Sequence, residues 1–233
     1  MSFHRKTKII NFYYNISGAP LEKVHRQRDL GLMLDPALTY NNHIDFAIGK
    51  SLKALGQIVR SGSVFFNLRV LRIMFFALVR PHMDLLSQIY FPQYEYQKVR
   101  LERVQNIFLR FAARQLSVPY DYFSHDYEEL RSQFRIPSIR SRFLKADLEF
   151  FYGILNGKID CPSLLSGISL SVPYIFLRNS AIFKVPFSRT NLGSNSPLTR
   201  LCREANYAQS VDFFNASKSR FAQELLKHIN SKT

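Results

Sequence analysis

The 233-residue sequence has no tryptophan, only two cysteines, and 17 acidic residues against 32 lysines and arginines. Cys161 and Cys202 are far apart and neither belongs to a CxxC pair, so the sequence predicts neither a disulfide framework nor a zinc site. The longest apolar run, around residues 73–79, is far too short to span a bilayer. There is also no internal repeat and no low-complexity tract. These absences exclude disulfide-rich secreted scaffolds, membrane-spanning proteins and repeat proteins.

The sequence also lacks a recognisable catalytic motif. It contains no GxSxG elbow, P-loop, GxGxxG, HExxH or paired-carboxylate motif. In three places a histidine and an aspartate are one or two residues apart in the sequence. This spacing does not put two side chains on one helix face. These pairs are His43 with Asp45, His82 with Asp84, and His125 with Asp126. Asp29 and Asp35 are separated by an apolar strand, which is not a Mg²⁺-binding arrangement. We therefore expect no complete active site, no bound metal and no cofactor.

The charge balance indicates a polyanionic partner. The formal net charge is +15 and the sequence pI is about 10.0, which is the electrostatic footprint of nucleic-acid binders. Ribosomal-type, membrane-surface and polyanion-scaffold proteins share this footprint, so it indicates a class of partner and no more. Residues 121–180 are balanced, and the positive excess lies in the first half and the C-terminal quarter. Because no block of consecutive like charges occurs, we expect structured segments to carry the charge.

Residues 97–116 predict an amphipathic helix with a basic side. Its apolar face consists of Leu101, Val104, Phe108, Phe111 and Ala112. An adjacent face carries the residues that we predict to contact nucleic-acid phosphates, namely Arg100, Arg103, Arg110 and Arg114. The preceding helix adds three predicted helpers, Lys50, Lys53 and Arg60. The alternative for each arginine is an ordinary surface residue, either solvated or salt-bridged.

The order of the secondary structure predicts a mainly α (α+β) fold. Strands are predicted at residues 8–16 and, as a second pair, at 21–25 and 29–34, with a turn at 17–20, a break at Gly31 and an end at Asp35-Pro36. Helices are predicted at about 42–62, 68–79, 97–116, 127–134, 139–155, 198–207 and 217–229, with a short one opening at Cys161-Pro162. We therefore expect a small N-terminal antiparallel β portion, a helical bundle and an irregular, partly helical C-terminal region. The predicted division is 1–40, 41–120 and 121–233.

Five motifs follow one another along the chain. They are RDLGLMLD at 28–35 with LTY at 38–40 and HI at 43–44; LVRP at 78–81 with Pro92; LERVQNIFLR at 101–110; DL at 147–148 with GILNGKID at 153–160; and RTN at 189–191 with NSP at 195–197 and Asn206. In this order they resemble the C-terminal part of the reverse transcriptases encoded by non-LTR retrotransposons, the jockey-like elements of insects especially.

The resemblance implies a fragment of an RNA-directed DNA polymerase from a transposable element. The segments correspond to the last palm strands, the thumb helices that hold the primer–template duplex, and a C-terminal connection region. The family's aromatic–Ala–Asp–Asp hairpin and the palm carboxylate before it would lie upstream of Met1, so we expect no polymerase activity from this chain alone. Expected partners are RNA and DNA, contacted through their backbones, and possible further ones are a full-length reverse transcriptase or an element RNA particle.

Two alternatives remain at this stage. One is a non-catalytic helical module that binds a protein, with its positive charge serving only solubility, and the other is a relic without selected function. In every case we expect an intracellular protein of the nucleus or cytoplasm that does not bind a membrane, because no signal peptide is recognised.

Overall fold

The structure is a computed structural model that describes residues 1–5, 12–62, 67–121, 126–172 and 181–231. It is 58% helical and mainly α, with two small antiparallel β-hairpins near the N-terminus, as predicted. The strands are β1 (Asn15–Ile16), β2 (Ala19–Pro20), β3 (Gln27–Asp29) and β4 (Leu32–Leu34). The helices up to residue 90 are α1 (Asn41–Gly62), α2 (Leu68–Met74), a π-helical segment (Phe75–Val79), α3 (Arg80–Asp84) and α4 (Ser87–Tyr90). The later helices are α5 (Glu95–Gln115), α6 (Glu128–Phe134), α7 (Ile139–Leu155), α8 (Pro162–Ser166), α9 (Asn191–Ser194), α10 (Pro197–Tyr207) and α11 (Lys218–Asn230).

The chain divides into two compact units. Unit 1 comprises Met1–Leu86 and Val99–His125, and unit 2 comprises Ser87–Lys98 and Asp126–Thr233. Helix α5 therefore begins in unit 2 and continues into unit 1. The division into residues 1–40, 41–120 and 121–233 stays a prediction.

In each hairpin, two residues with positive φ form the turn. Turns of this conformation match the twist of paired strands. In the first hairpin these residues are Ser17 (φ 50°) and Gly18 (φ 81°), and β1 pairs with β2 across them. Ala19 and Pro20 thus belong to a strand, whereas the sequence analysis placed them in the turn. Residues 8–11 of the first predicted strand lie outside the described residues.

The second hairpin corrects the predicted strand pair. Leu30 (φ 45°) and Gly31 (φ 92°) form its turn, so β3 pairs with β4 and residues 21–25 are not a strand. Gly31 connects two strands because it adopts positive φ without a Cβ clash, and it does not interrupt a single strand. The predicted end at Asp35-Pro36 is confirmed, since β4 stops at Leu34. The Asp35 carboxylate accepts backbone N–H bonds from Thr39 at 3.1 Å and from Tyr40 at 3.0 Å, which turns the chain into α1.

Helix α2 begins as predicted but does not end at Pro81. Asn67 caps it, with Oδ1 accepting from Arg69 N at 2.8 Å. The helix continues through the π-helical segment, in which Arg80 N donates to Phe75 O, and α3 ends only at Asp84. Proline is tolerated in the first turn of a helix, where its missing N–H leaves no bond unmade. Helix α3 therefore includes Pro81 as its second residue.

The π-helical segment also aligns the buried face of this long helix. Leu71, Phe75, Val79 and Met83 are all fully buried. Residues four apart drift by about 40° per step in a regular α-helix, and a wider π turn takes up that drift. Ile73, on the other side of the helix, is 57% exposed.

Unit 1 packs α1 and α5 against this helix. Ser51 of α1 donates to Val79 O at 3.5 Å, and the Phe75 and Phe108 rings stack with their centroids 4.3 Å apart. The predicted apolar face of α5 is confirmed by burial at Leu101, Val104, Phe108 and Ala112, and Phe111 is half-buried. In α1 the buried apolar residues include Ile44, Ala47, Leu55 and Ile58, whereas Leu52 and Val59 at the edge of this face are 41% and 37% exposed.

Unit 2 is built around α7, α10 and α11. Ser138 caps α7 by accepting from Ser141 N at 3.2 Å, and Gly157 (φ 63°) follows its C-terminal end, as predicted. The helices predicted at 127–134, 198–207 and 217–229 are also confirmed to within a residue. Helix α7 packs against both α10 and α11. Its buried apolar side chains include Ile139, Phe143, Leu148, Phe151, Tyr152 and Ile154.

Candidate nucleic-acid interface

Helix α5 places its four predicted arginines on one face. At about 100° per residue, Arg100, Arg103, Arg110 and Arg114 fall within roughly 80° of the helix circumference. This face is opposite the buried residues of α5, so the apolar side of the helix packs and the basic side points outward. Arg103 and Arg114 are exposed and Arg110 is half-buried. The juxtaposition expected from the sequence is therefore present within α5.

Arg100 differs from the other three because it already has an acidic partner. Its Nη2 lies 2.5 Å from Asp45 Oδ1 on α1, and the two side chains are 44% and 54% exposed. A pair this exposed contributes about 0–1 kcal/mol to stability. It nevertheless compensates the charge of Arg100 and marks the edge of α1 that meets α5.

Arg103, Arg110 and Arg114, named here the arginine stripe, form no ion pair with any residue that the structure describes. The stripe extends over 12 residues, from Arg103 to Arg114, which is about 17 Å of helix. Successive phosphates of one strand are about 3.4 Å apart along a duplex axis, so a helix of this length can reach several of them. Phosphate contacts require charge and reach but no particular base sequence.

The three predicted helpers on α1 do not all share one position around that helix. Lys50, Lys53 and Arg60 are all exposed. Lys50 is about 140° around α1 from Asp45, and its Nζ lies 5.6 Å from the ring centroid of Phe46. It therefore faces the flank of α1 away from α5. Lys53 and Arg60 share one outward side of α1, within about 20° of each other.

Three basic residues in unit 1 were missed by the sequence analysis. Arg28 of β3 lies with Cζ 5.4 Å from the Phe46 ring, on which Lys50 also lies. Arg69 and Arg72 lie on α2. Their three-residue spacing, typical of one helix face, was the available signal.

The two units differ in charge. Unit 1 contains sixteen lysines and arginines against seven acidic residues, whereas unit 2 contains sixteen against ten. Unit 1 thus carries a net charge of +9, and the stripe lies within it. A field of one sign raises the association rate with a polyanion and makes that association sensitive to salt.

Burial shifts the pKa of His43 and the pKa of Cys202, which both lie on described helices. Burial lowers the pKa of His43, whose Nδ1 accepts from Met33 N at 3.3 Å, and this histidine serves the contact between β4 and α1. Burial raises the pKa of the Cys202 thiol, which keeps it protonated and unreactive. No three His, Cys, Asp or Glu side chains among the described residues are grouped so that they could hold a metal ion.

No family model, curated protein or solved structure matches this chain. Among the helices within the described ranges, none is both long enough and apolar enough to cross a membrane.

Proposed function

We propose that this chain binds the sugar–phosphate backbone of RNA and DNA through α5, as a non-catalytic part of a retrotransposon-encoded RNA-directed DNA polymerase. The polymerase assignment rests on the five motifs and their order. The binding assignment rests on one observation, the arginine stripe. It is exposed on a helix whose opposite face is fixed in the core of unit 1.

Rigid support of the stripe favours binding. Leu101, Val104 and Phe108 are at most 1% exposed, so the backbone that carries the arginines is anchored along its length. The cost of ordering a phosphate-binding surface is then limited to the arginine side chains. Because no base-reading groups are implied, we expect binding that is independent of sequence and strongly dependent on salt.

The test is the salt dependence of binding to a fluorescein-labelled RNA–DNA hybrid, measured by anisotropy. The variant is Arg103→Gln/Arg110→Gln/Arg114→Gln. A charge-matched control, Arg140→Gln/Arg189→Gln/Lys218→Gln, removes three exposed cations from unit 2. Each lost phosphate contact lowers the slope of log K against log salt by about 0.9 for duplex DNA, so we expect a decrease of roughly two to three from the stripe variant.

The control separates a located site from a general effect of net charge. Both variants have the same formal charge. Only the stripe variant is expected to show a smaller slope of log K against log salt. Equal losses in both would show that binding is diffuse, and the absence of wild-type binding at moderate salt would refute the proposal.

A further inference from the structure

The helix formed by α2, the π-helical segment and α3 has an exposed apolar side in unit 1. Ile73, Leu78 and Leu85 are 57%, 45% and 64% exposed, and Ala77 and Pro81 between them are also exposed. Ile73, Ala77, Leu78 and Pro81 follow one side of the helix, and Leu85 comes directly after its last residue. These five residues, named here the apolar strip, extend over about 18 Å. The strip lies opposite the buried face of the same helix.

A helix that is apolar on both sides is normally buried on both sides. Here only the side with Leu71, Phe75, Val79 and Met83 is buried. Contiguous exposed apolar surface on a folded protein marks an interaction site more often than a solvated face. The strip therefore needs a partner that presents apolar side chains along a line of similar length.

Cations lie along one flank of the strip. Arg72 Cζ and Arg80 Cζ lie 5.9 Å and 5.0 Å from the centroid of the Phe76 ring, which places both on the same side of the helix. Arg80 is compensated by Asp84 at 2.6 Å, whereas Arg69 and Arg72 form no ion pair with a described residue. The sequence contains no acidic residue between Asp45 and Asp84.

From this charge pattern we infer that the apolar strip docks an acidic amphipathic helix of another protein. Apolar side chains of the partner would pack on Ile73, Leu78 and Leu85, and its bordering carboxylates would pair with Arg69 and Arg72. A straight strip of one helix width is the surface that helix-on-helix packing uses. This surface is separate from the arginine stripe and does not depend on nucleic-acid binding.

The same pattern disfavours the other occupants. A second copy of the chain would bring the same uncompensated arginines to the interface, since a two-fold contact uses one patch twice. Nucleic acid gains little from five apolar side chains, and an anionic lipid surface is best matched by cations on both borders of an apolar face.

The test uses two fluorescein-labelled helical peptides of about 14 residues, a length that matches the strip. Both carry leucine along one face, with glutamates at all other positions in one peptide and lysines in the other. We expect the glutamate peptide alone to bind. Ile73→Gln/Leu78→Gln should weaken its binding more than about tenfold, and Arg69→Gln/Arg72→Gln about three- to tenfold.

Two controls locate the effect. Leu226→Gln changes a leucine on α11 with the same 45% exposure as Leu78, and it should leave peptide binding unchanged. Arg103→Gln/Arg114→Gln should weaken hybrid binding and leave peptide binding unchanged. Ile73→Gln/Leu78→Gln should weaken peptide binding and leave hybrid binding unchanged. The proposal of nucleic-acid binding and the proposal of helix docking can therefore fail independently. The variants change exposed side chains, apart from the half-buried Arg72, and circular dichroism checks that they are folded.

Several results would overturn the inference. Equal binding of the lysine peptide, no binding of the glutamate peptide, or binding that survives Ile73→Gln/Leu78→Gln would each remove it. Sedimentation velocity and flotation with phosphatidylcholine–phosphatidylserine vesicles complete the test. Self-association or vesicle binding abolished by Ile73→Gln/Leu78→Gln would replace the protein partner by a second copy or by a lipid surface.

Discussion

Replacing Arg200 by methionine should destabilise unit 2 by about 3–5 kcal/mol, the cost of removing one partner from a buried ion pair. Arg200 Nε lies 2.8 Å from Asp147 Oδ2, and each side chain is only 1% exposed. The guanidinium also donates to Gln88 O at 2.6 Å and to Asn195 O at 3.2 Å. It lies over the Phe91 ring, with Cζ 4.4 Å from the centroid. One side chain thus connects α10 to α7 and to the segment that leads into α5.

Most of this loss of stability comes from the Asp147 carboxylate, which remains buried without its partner. Burial raises the pKa of the Asp147 carboxyl, and the hydrogen bond and charge of Arg200 oppose that rise. Without Arg200 the pKa of this carboxyl should rise further. A carboxyl whose folded-state pKa exceeds its unfolded value stabilises the fold below the unfolded pKa, and this contribution is lost as pH increases through the folded value. Arg200→Met should therefore become more stable as pH falls from about 7 towards 5. The histidines contribute to the pH dependence of both proteins, so the wild-type curve is subtracted from that of the variant.

Guanidinium chloride unfolding followed by far-UV circular dichroism measures these effects, because the chain has no tryptophan. Asp147→Leu/Arg200→Met should recover about 2 kcal/mol or more of the loss, since an apolar replacement of both partners removes the unpaired charge. Arg203→Met is the control. It lies on the same helix with its side chain 33% exposed, and it should cost less than about 1 kcal/mol. A cost for Arg200→Met no larger than that of the control, or no recovery in the double variant, would refute the reasoning.

Three further predictions concern individual hydrogen bonds. Because burial lowers the pKa of His43, the folded state resists protonation of this side chain. The free energy of unfolding should therefore fall as pH drops below about 6.5. In His43→Asn, whose side chain can still accept from Met33 N, the free energy of unfolding should depend less on pH below about 6.5. Asn67→Ala should cost about 1 kcal/mol in denaturant unfolding, because the first turn of α2 loses its cap. Asn206→Ala should speed amide exchange at Phe183, whose N and O it bonds at 2.9 Å and 2.7 Å, and unchanged exchange would contradict that role.

The helices could be read from local chemistry. Asn67, Ser138 and Ser217 satisfy N–H groups in the first turn of a helix, and Gly157 adopts the positive φ that ends one. These interactions span only a few residues, so their signals lie next to each other in the sequence. The hairpin turns were harder to predict, because Leu30 is not a residue type that favours positive φ.

The candidate site was predictable to the extent that it lies on one helix. The stripe on α5 follows from a fixed angle per residue, so the sequence alone determined that Arg103, Arg110 and Arg114 share a face. The position of Lys50 relative to α5 depends on how α1 and α5 pack. In the structure Lys50 lies beside Phe46 and Arg28.

Only the tertiary structure decided which apolar surfaces are covered. The sequence made both sides of the helix from α2 to α3 apolar, and packing against α1 and α5 buried one of them. Likewise, Asp147 and Arg200 are 53 residues apart and became a buried pair only through the packing of α7 against α10. Local rules carry no information about such contacts, because burial depends on elements that are distant in the chain.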